Sequence, residues 1–194
     1  ITLQHAYGSS EKKSIEYMAK QVSHMFNNIP IHRYAVINYL SIPALNDLVG
    51  GVDVVMGETV DKDLQTWSEE FRPYNEVHLD GFKAYYYLRE RDTNVYASSE
   101  DRANRQKTYI TSYLQKAKLL MKQDPFSIFS IYRKAKKEMV TNLKISDFIA
   151  LIPYVSNMEL DTMYTVPGDR IRGVRYEEYA YALVDAGFDK VYTT

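Results

Sequence analysis

The segment HRYAVINYLSIPALNDLVGGVDVVM, residues 32–56, changes hydrophobic period twice. Its first part, 32–40, is β-branched, aromatic and alternating enough to predict a strand. The middle part, IPALNDLVGG, predicts a short helix stopped by Gly50 and Gly51, and VDVVM after it predicts a second strand. Upstream, Ile15, Met18, Ala19, Val22, Met25 and Phe26 recur at helical spacing between Ser9 and Asn28, with Ser9 or Ser10 ahead of them as a cap. The order helix, strand, helix, strand is α/β patterning, and no internal repeat interrupts it.

Downstream the pattern is mainly helical. Residues 57–78 are mixed and polar, hold the only tryptophan, Trp67, and read as a long loop with one helical turn. GFKAYYYL, capped by Asp80, predicts either one short helix or a helix running into an extended segment. A long helix is expected over 99–123, another from after DPF through Asn142, and a third over 146–156. MYTVPGD near the end predicts a strand, and YEEYAYALVDAGF a last helix.

Composition narrows the function. With 194 residues and 45% hydrophobic content, the chain is expected to bury one core and to form a single domain over 1–194. The 24 basic and 25 acidic residues nearly cancel, which argues against a whole-surface field for nucleic acid or anionic lipid, so an anion site has to be local. With no cysteine, disulfides, thiol catalysis and cysteine-ligated zinc are excluded. No apolar run approaches the ~18 residues that span a bilayer, and ITLQHAYG is neither a signal peptide nor a start with methionine, so the chain reads as part of a longer one.

Against this neutral background stand four arginines, Arg89, Arg91, Arg102 and Arg105, within seventeen residues. On the long helix, positions 102, 106, 109, 113, 117 and 120 form one stripe, in which Arg102 and Gln106 continue the face of Tyr109, Tyr113, Ala117 and Leu120, with Arg105 at its edge. Lys107, Lys118 and Lys122 lie on the opposite face. A guanidinium held against a core calls for an anion, and the N-terminal turn of a helix adds unpaired N–H groups and a positive dipole end. Arg89 and Arg91, two apart, project to one side of an extended segment while Glu90 projects to the other. Two readings follow: an internal network with Asp92, Glu100, Asp101 or other acids, or a phosphate pocket, which the planar fork of arginine suits better than lysine.

Taken together, RER, a ten-residue spacer DTNVYASSED, then RANRQ resemble the arginine pattern of the LytR-CpsA-Psr (LCP) proteins of Gram-positive cell envelopes. LQHAYG, IPIHRYAVINY, LNDLVGGVDV and MYTVPGD fall in the family's order, so the resemblance extends over nearly the whole chain. It implies an α/β fold with a central mixed β-sheet flanked by helices, here with the N-terminal part of the domain missing. It implies a phosphotransferase that moves an anionic glycopolymer, teichoic acid or capsular polysaccharide, from a polyprenyl pyrophosphate carrier to peptidoglycan. Arg89, Arg91, Arg102, Arg105 and Gln106 match the residues that hold the pyrophosphate, and an apolar groove between sheet and helices holds the lipid, although Tyr109 and Tyr113 read first as ordinary core. The family's magnesium-binding aspartates, a further arginine and a membrane-spanning helix precede the point where this sequence begins. The resemblance therefore implies Mg2+ for the intact domain with ligands outside this chain, anchoring to the extracellular face of the membrane, and no nucleic acid partner. A non-catalytic binding module for phosphorylated lipid or wall polymer uses the same arginines.

Other motifs carry less. His5, His24, His32 and His78 lack metal-ligand spacing, and LVGGVD lacks the spacing of a phosphate loop. The acidic group Glu58, Asp61, Asp63, Glu69 and Glu70 lacks the spacing of a calcium loop. YRKAKKEM is a basic helix face, solvated by default, with anionic lipid or wall polymer as the alternative contact.

Overall fold

A computed structural model of the chain describes residues 8–157 apart from 59, 61, 96, 97 and 125, so the strand expected at MYTVPGD and the helix expected at YEEYAYALVDAGF lie outside the described residues. The chain divides into two compact units, with the boundary in the described part between Tyr34 and Ala35. In the first unit, α1 (Glu11–Met25) starts where Ser10, in extended conformation, accepts a hydrogen bond from the Lys13 N–H. Ile15 is the most deeply buried apolar residue of α1.

The second unit contains β1 (Ala35–Ile37), a 3-10 turn at Tyr39–Ser41, α2 (Ile42–Asp47), β2 (Val52–Val55), α3 (Lys62–Trp67) and β3 (Glu76–Leu79). It continues with α4 (Gly81–Arg89), α5 (Ser98–Gln123), α6 (Ser127–Ala135), β4 (Met139–Thr141) and α7 (Ile145–Asn157). The α/β class expected from residues 32–56 holds. Among the described residues the strands form two antiparallel pairs, β1 with β4 and β2 with β3.

The two sheets differ from the sequence reading in instructive ways. β3 falls in the stretch 57–78 expected to be loop: EVHL alternates over only four residues, too few to register as a period, and pairing with β2 makes it a strand. Likewise the helix expected to run through Asn142 ends at Ala135, because Met139, Val140 and Thr141 pair with Ile37, Val36 and Ala35. In both cases a distant partner strand overrides the local pattern.

The β2–β3 pair is the floor of the core. Val52 and Val54 face Leu79 and Val77 across the ladder, and all four are buried, while the alternate positions Asp53, Val55, Glu76 and His78 are exposed. Ile42, Leu64, Ala84, Tyr87 and Tyr109 from the helices and Phe71 from the loop after α3 join the cluster. Gly51 has a positive φ of 82°, and a Cβ there would sit 2.5 Å from His78 Nε2, so both backbone conformation and close approach require glycine. On the outer face Asp53 Oδ1 lies 2.6 Å from His78 Nδ1 directly across the ladder, and its Oδ2 accepts from Lys116 of α5 at 3.0 Å. The hydrogen bonds from His78 and then Lys116 hold the Asp53 carboxyl below the usual carboxylate range.

One buried polar residue ties the helices to the sheet. Asn46 is fully buried, donates from Nδ2 to the Leu79 carbonyl at 2.9 Å and accepts at Oδ1 from the Tyr109 hydroxyl at 3.1 Å, so it joins α2, β3 and α5. Burial accordingly pushes the Tyr109 hydroxyl well above its ordinary value. Asn46→Ala strands both partners and is expected to lower stability by about 2–4 kcal/mol in urea unfolding, on the scale of two unsatisfied buried groups. Asn46→Asp is expected to be worse still at neutral pH, since a carboxylate then faces a carbonyl; if it matches wild type, Asn46 is not the tie.

Candidate functional site

The arginines gather where the end of α4 meets the start of α5. Asp80 starts α4 by accepting from the Lys83 N–H at 2.9 Å, and Gly81 allows the helix to approach α2, since a Cβ there would lie 2.8 Å from Pro43 Cα. Tyr87 is buried against Phe71, with ring centroids 6.3 Å apart, and Tyr86 stacks near Trp67 at 4.3 Å. These anchors fix the C-terminal end of α4. Arg89 is its last residue, so it is helical where the sequence reading had it extended; Glu90 follows in extended conformation with φ −64° and ψ 139°.

A helix end leaves its last carbonyls without partners and carries negative dipole charge. Here α5 supplies the donors. Arg105 Nε donates to the Tyr87 carbonyl at 2.9 Å, Arg105 Nη2 donates to the Glu90 carbonyl, and Gln106 Nε2 donates to the Leu88 carbonyl at 3.2 Å. The Arg105 guanidinium also lies over the Tyr87 ring, 6.0 Å from its centroid. Burial pushes the Tyr87 hydroxyl up to about 12, partly opposed by the positive charge of Arg105.

The remaining arginines are placed differently. Arg89 Nη1 donates to the Tyr85 hydroxyl at 2.8 Å, with its guanidinium 5.4 Å from the Tyr85 ring centroid, and lies 3.7 Å from Glu90 Oε1. That ion pair is long, and half of the Arg89 side chain is exposed, so it contributes little. Arg91 and Arg102 are half-buried, and neither has a carboxylate partner among the described residues. Arg102 stands one turn before Arg105 on α5, and Arg105 is bonded to the carbonyl of the residue between Arg89 and Arg91. The structure thus divides the arginines around the end of α4 and the start of α5: Arg105 and Gln106 hold α4, and Arg91 and Arg102 have no anionic partner among the described residues.

The stripe expected on α5 is observed. Tyr109 is buried, and Tyr113, Ala117 and Leu120 pack against the core, with the Tyr113 hydroxyl donating to the Leu45 carbonyl at 3.1 Å. Tyr109 and Tyr113 are core residues. What the sequence reading missed was the contribution of Tyr85, for which the i, i+4 spacing to Arg89 was the available signal. The Asp53–His78 pair had no signal, because it depends on β3. Among the described residues no group of three or more His, Asp or Glu side chains is arranged to hold a metal ion, and no helix is long and apolar enough to cross a membrane.

The sequence matches the LytR_cpsA_psr family over residues 2–190, and the chain belongs to that family. Among solved structures it is similar to Bacillus subtilis TagV, with 22% identity and a TM-score of 0.60 over 86% of this chain and 61% of that one. It is also similar to TagT bound to LI-WTA, with 22% identity and a TM-score of 0.60 over 81% of this chain and 55% of that one. The Lin1025 protein from Listeria innocua, at 19% identity and a TM-score of 0.62, covers 99% of this chain and is itself 81% covered. At these identities the likeness establishes the LCP fold, and the chain spans less than two thirds of the TagV and TagT structures. No curated protein matches the sequence.

The division of the arginines has a measurable consequence. Arg105→Ala removes the donors to two carbonyls at the end of α4 and is expected to lower stability by about 1–3 kcal/mol, while Arg102→Ala is expected to change it by less than about 0.5 kcal/mol. Equal losses from the two variants in urea unfolding overturn the division.

Proposed function

We propose that the intact domain is a glycopolymer phosphotransferase, acting on an anionic glycopolymer carried on polyprenyl pyrophosphate and delivering it to peptidoglycan at the extracellular face of the membrane. The observation that carries the reading is the junction itself: in a nearly neutral chain of the LCP family, half-buried Arg91 and Arg102 lack carboxylate partners among the described residues beside the start of a long helix. A cation so placed is costly unless an anion visits it.

In the proposed reaction an acceptor hydroxyl of peptidoglycan attacks the phosphorus attached to the polymer. The new P–O bond forms as the bond to the bridging oxygen breaks, polyprenyl monophosphate departs, and the hydroxyl proton is released. Charge builds on the bridging and non-bridging oxygens, and fixed guanidinia stabilise it without reorganising. Arg89, Arg91 and Arg102 take that role. Arg105 and Gln106 act through the backbone, by fixing the end of α4 from which Arg89 and Arg91 project. Magnesium belongs to this proposal for the intact domain, with ligands outside the described residues, and no step above depends on it.

On the full-length protein, Arg102→Ala is expected to reduce transfer from a polyprenyl pyrophosphate donor by about 2–4 kcal/mol in the transition state, with thermal unfolding nearly unchanged. Arg102→Lys is expected to recover only part of it, because a point charge cannot replace the bidentate fork. A destabilised variant with normal transfer per folded molecule overturns the assignment, whereas a wild-type protein that binds the donor without transferring it makes the site a binding module.

A further inference from the structure

A second cationic site lies apart from the arginine junction in the sequence, on α6 and the segments that follow it. Phe129, Tyr132, Arg133, Lys136, Lys137 and Ile145 line a cleft of about 460 Å³. Arg133, Lys136 and Lys137 are exposed, and none of them has an acidic partner among the described residues. Tyr132 between them is fixed at both ends: its hydroxyl donates to the Leu143 carbonyl at 2.9 Å and its ring lies 5.5 Å from that of Phe148. The Lys136 ammonium sits 5.8 Å from the Tyr132 ring centroid. Three cations without acidic partners among the described residues are therefore displayed beside aromatic surface in an open, shallow cleft.

We propose that this cleft binds the phosphodiester chain of the anionic glycopolymer, as a second subsite apart from the pyrophosphate site, beyond the opposite end of α5; the identity of the polymer class rests on the transferase reading above. A chain of alternating phosphates and hydroxylated carbons presents both chemistries the cleft offers. Its phosphates meet Arg133, Lys136 and Lys137, of which the arginine can engage oxygens in a bidentate way. Its C–H faces lie on Phe129 and Tyr132, as apolar surface removed from water. The polymer is the occupant chosen because the transferase reading brings an anionic chain to this protein and three cations without acidic partners among the described residues complement its phosphates; a bilayer contact is the alternative outcome of the test. The near neutrality of the whole chain makes the attraction local, so it selects where the polymer lies and does not bind polyanions everywhere.

The test uses the full-length protein and lipid-free poly(glycerol phosphate), titrated at low salt by calorimetry. Saturable binding is expected, weakened by rising salt and by roughly tenfold or more in the triple variant R133Q/K136Q/K137Q, whose melting temperature stays at the wild-type value because the three side chains are exposed. Phe129→Ala is expected to weaken the polymer but not inorganic phosphate. Wild-type affinity in the triple variant overturns the proposal. So does a triple variant that loses phosphatidylglycerol vesicles while keeping the polymer, which makes the patch a bilayer contact, and so does equal competition by inorganic phosphate at matched phosphate concentration. A protein that binds the polymer through this cleft yet transfers nothing supports the cleft and fails the transferase reading.

Discussion

The last carbonyls of α4 have to find donors, and the structure around the arginines follows from how they do. Two residues before the end, the helix is already committed to the core through Tyr87, so its C-terminus cannot fray into water to satisfy its carbonyls. Donors have to come from a neighbouring element. Arg105 and Gln106 on α5 supply them to Tyr87, Leu88 and Glu90, and in doing so they set the register of α5 against α4. Because α5 is one long helix, that register then fixes the positions of Tyr109 and Tyr113, whose hydroxyls reach Asn46 and Leu45 of α2. A single capping requirement thus propagates through one helix to the sheet, since Asn46 also holds Leu79.

The capping arrangement also explains why the cluster is built from arginine. A lysine at 105 offers a single centre and cannot donate to two carbonyls in divergent directions while lying over an aromatic ring. Arg105 does all three. A positive charge here is favoured by the negative end of α4, which reduces the cost of bringing Arg91 and Arg102 to the same place. The structural arginine and the arginines proposed to act on phosphate are therefore not independent: one makes the electrostatic and geometric setting in which Arg91 and Arg102 stand without carboxylate partners among the described residues.

What could be read from the sequence divides along the range of the interactions. Features that depend on neighbours within a turn or two were legible: the Ser10 and Asp80 caps, the glycine stop after α2, the α5 stripe from Gln106 to Leu120, and the arginine motif itself. β3 and β4 were not, because strands of four and three residues have no period to detect and exist only by pairing with β2 and β1. The site was legible as a set of residues but not as a set of roles. Spacing put Arg102, Arg105 and Gln106 on one side of one helix, yet whether a guanidinium meets a phosphate or a helix end depends on where α4 stops, and Arg89 belongs to the helix that was read as extended.

The two cationic sites also differ in kind, and the difference bears on what each can recognise. At the junction Arg91, Arg102 and Arg105 are half-buried, and Arg105 is held by a helix end, conditions in which charge acts strongly over a short range. On α6 the cations are exposed and lie along an aromatic wall, where each contributes little alone and salt screens it. The first arrangement suits one compact, highly charged group whose charge rises during a reaction. The second suits many weak, repeated contacts with an extended chain, in which affinity comes from the number of phosphates engaged. On the proposed reading, a long anionic polymer is held at the second while the first acts at one end of it, and a net charge near zero keeps the rest of the surface from competing with them.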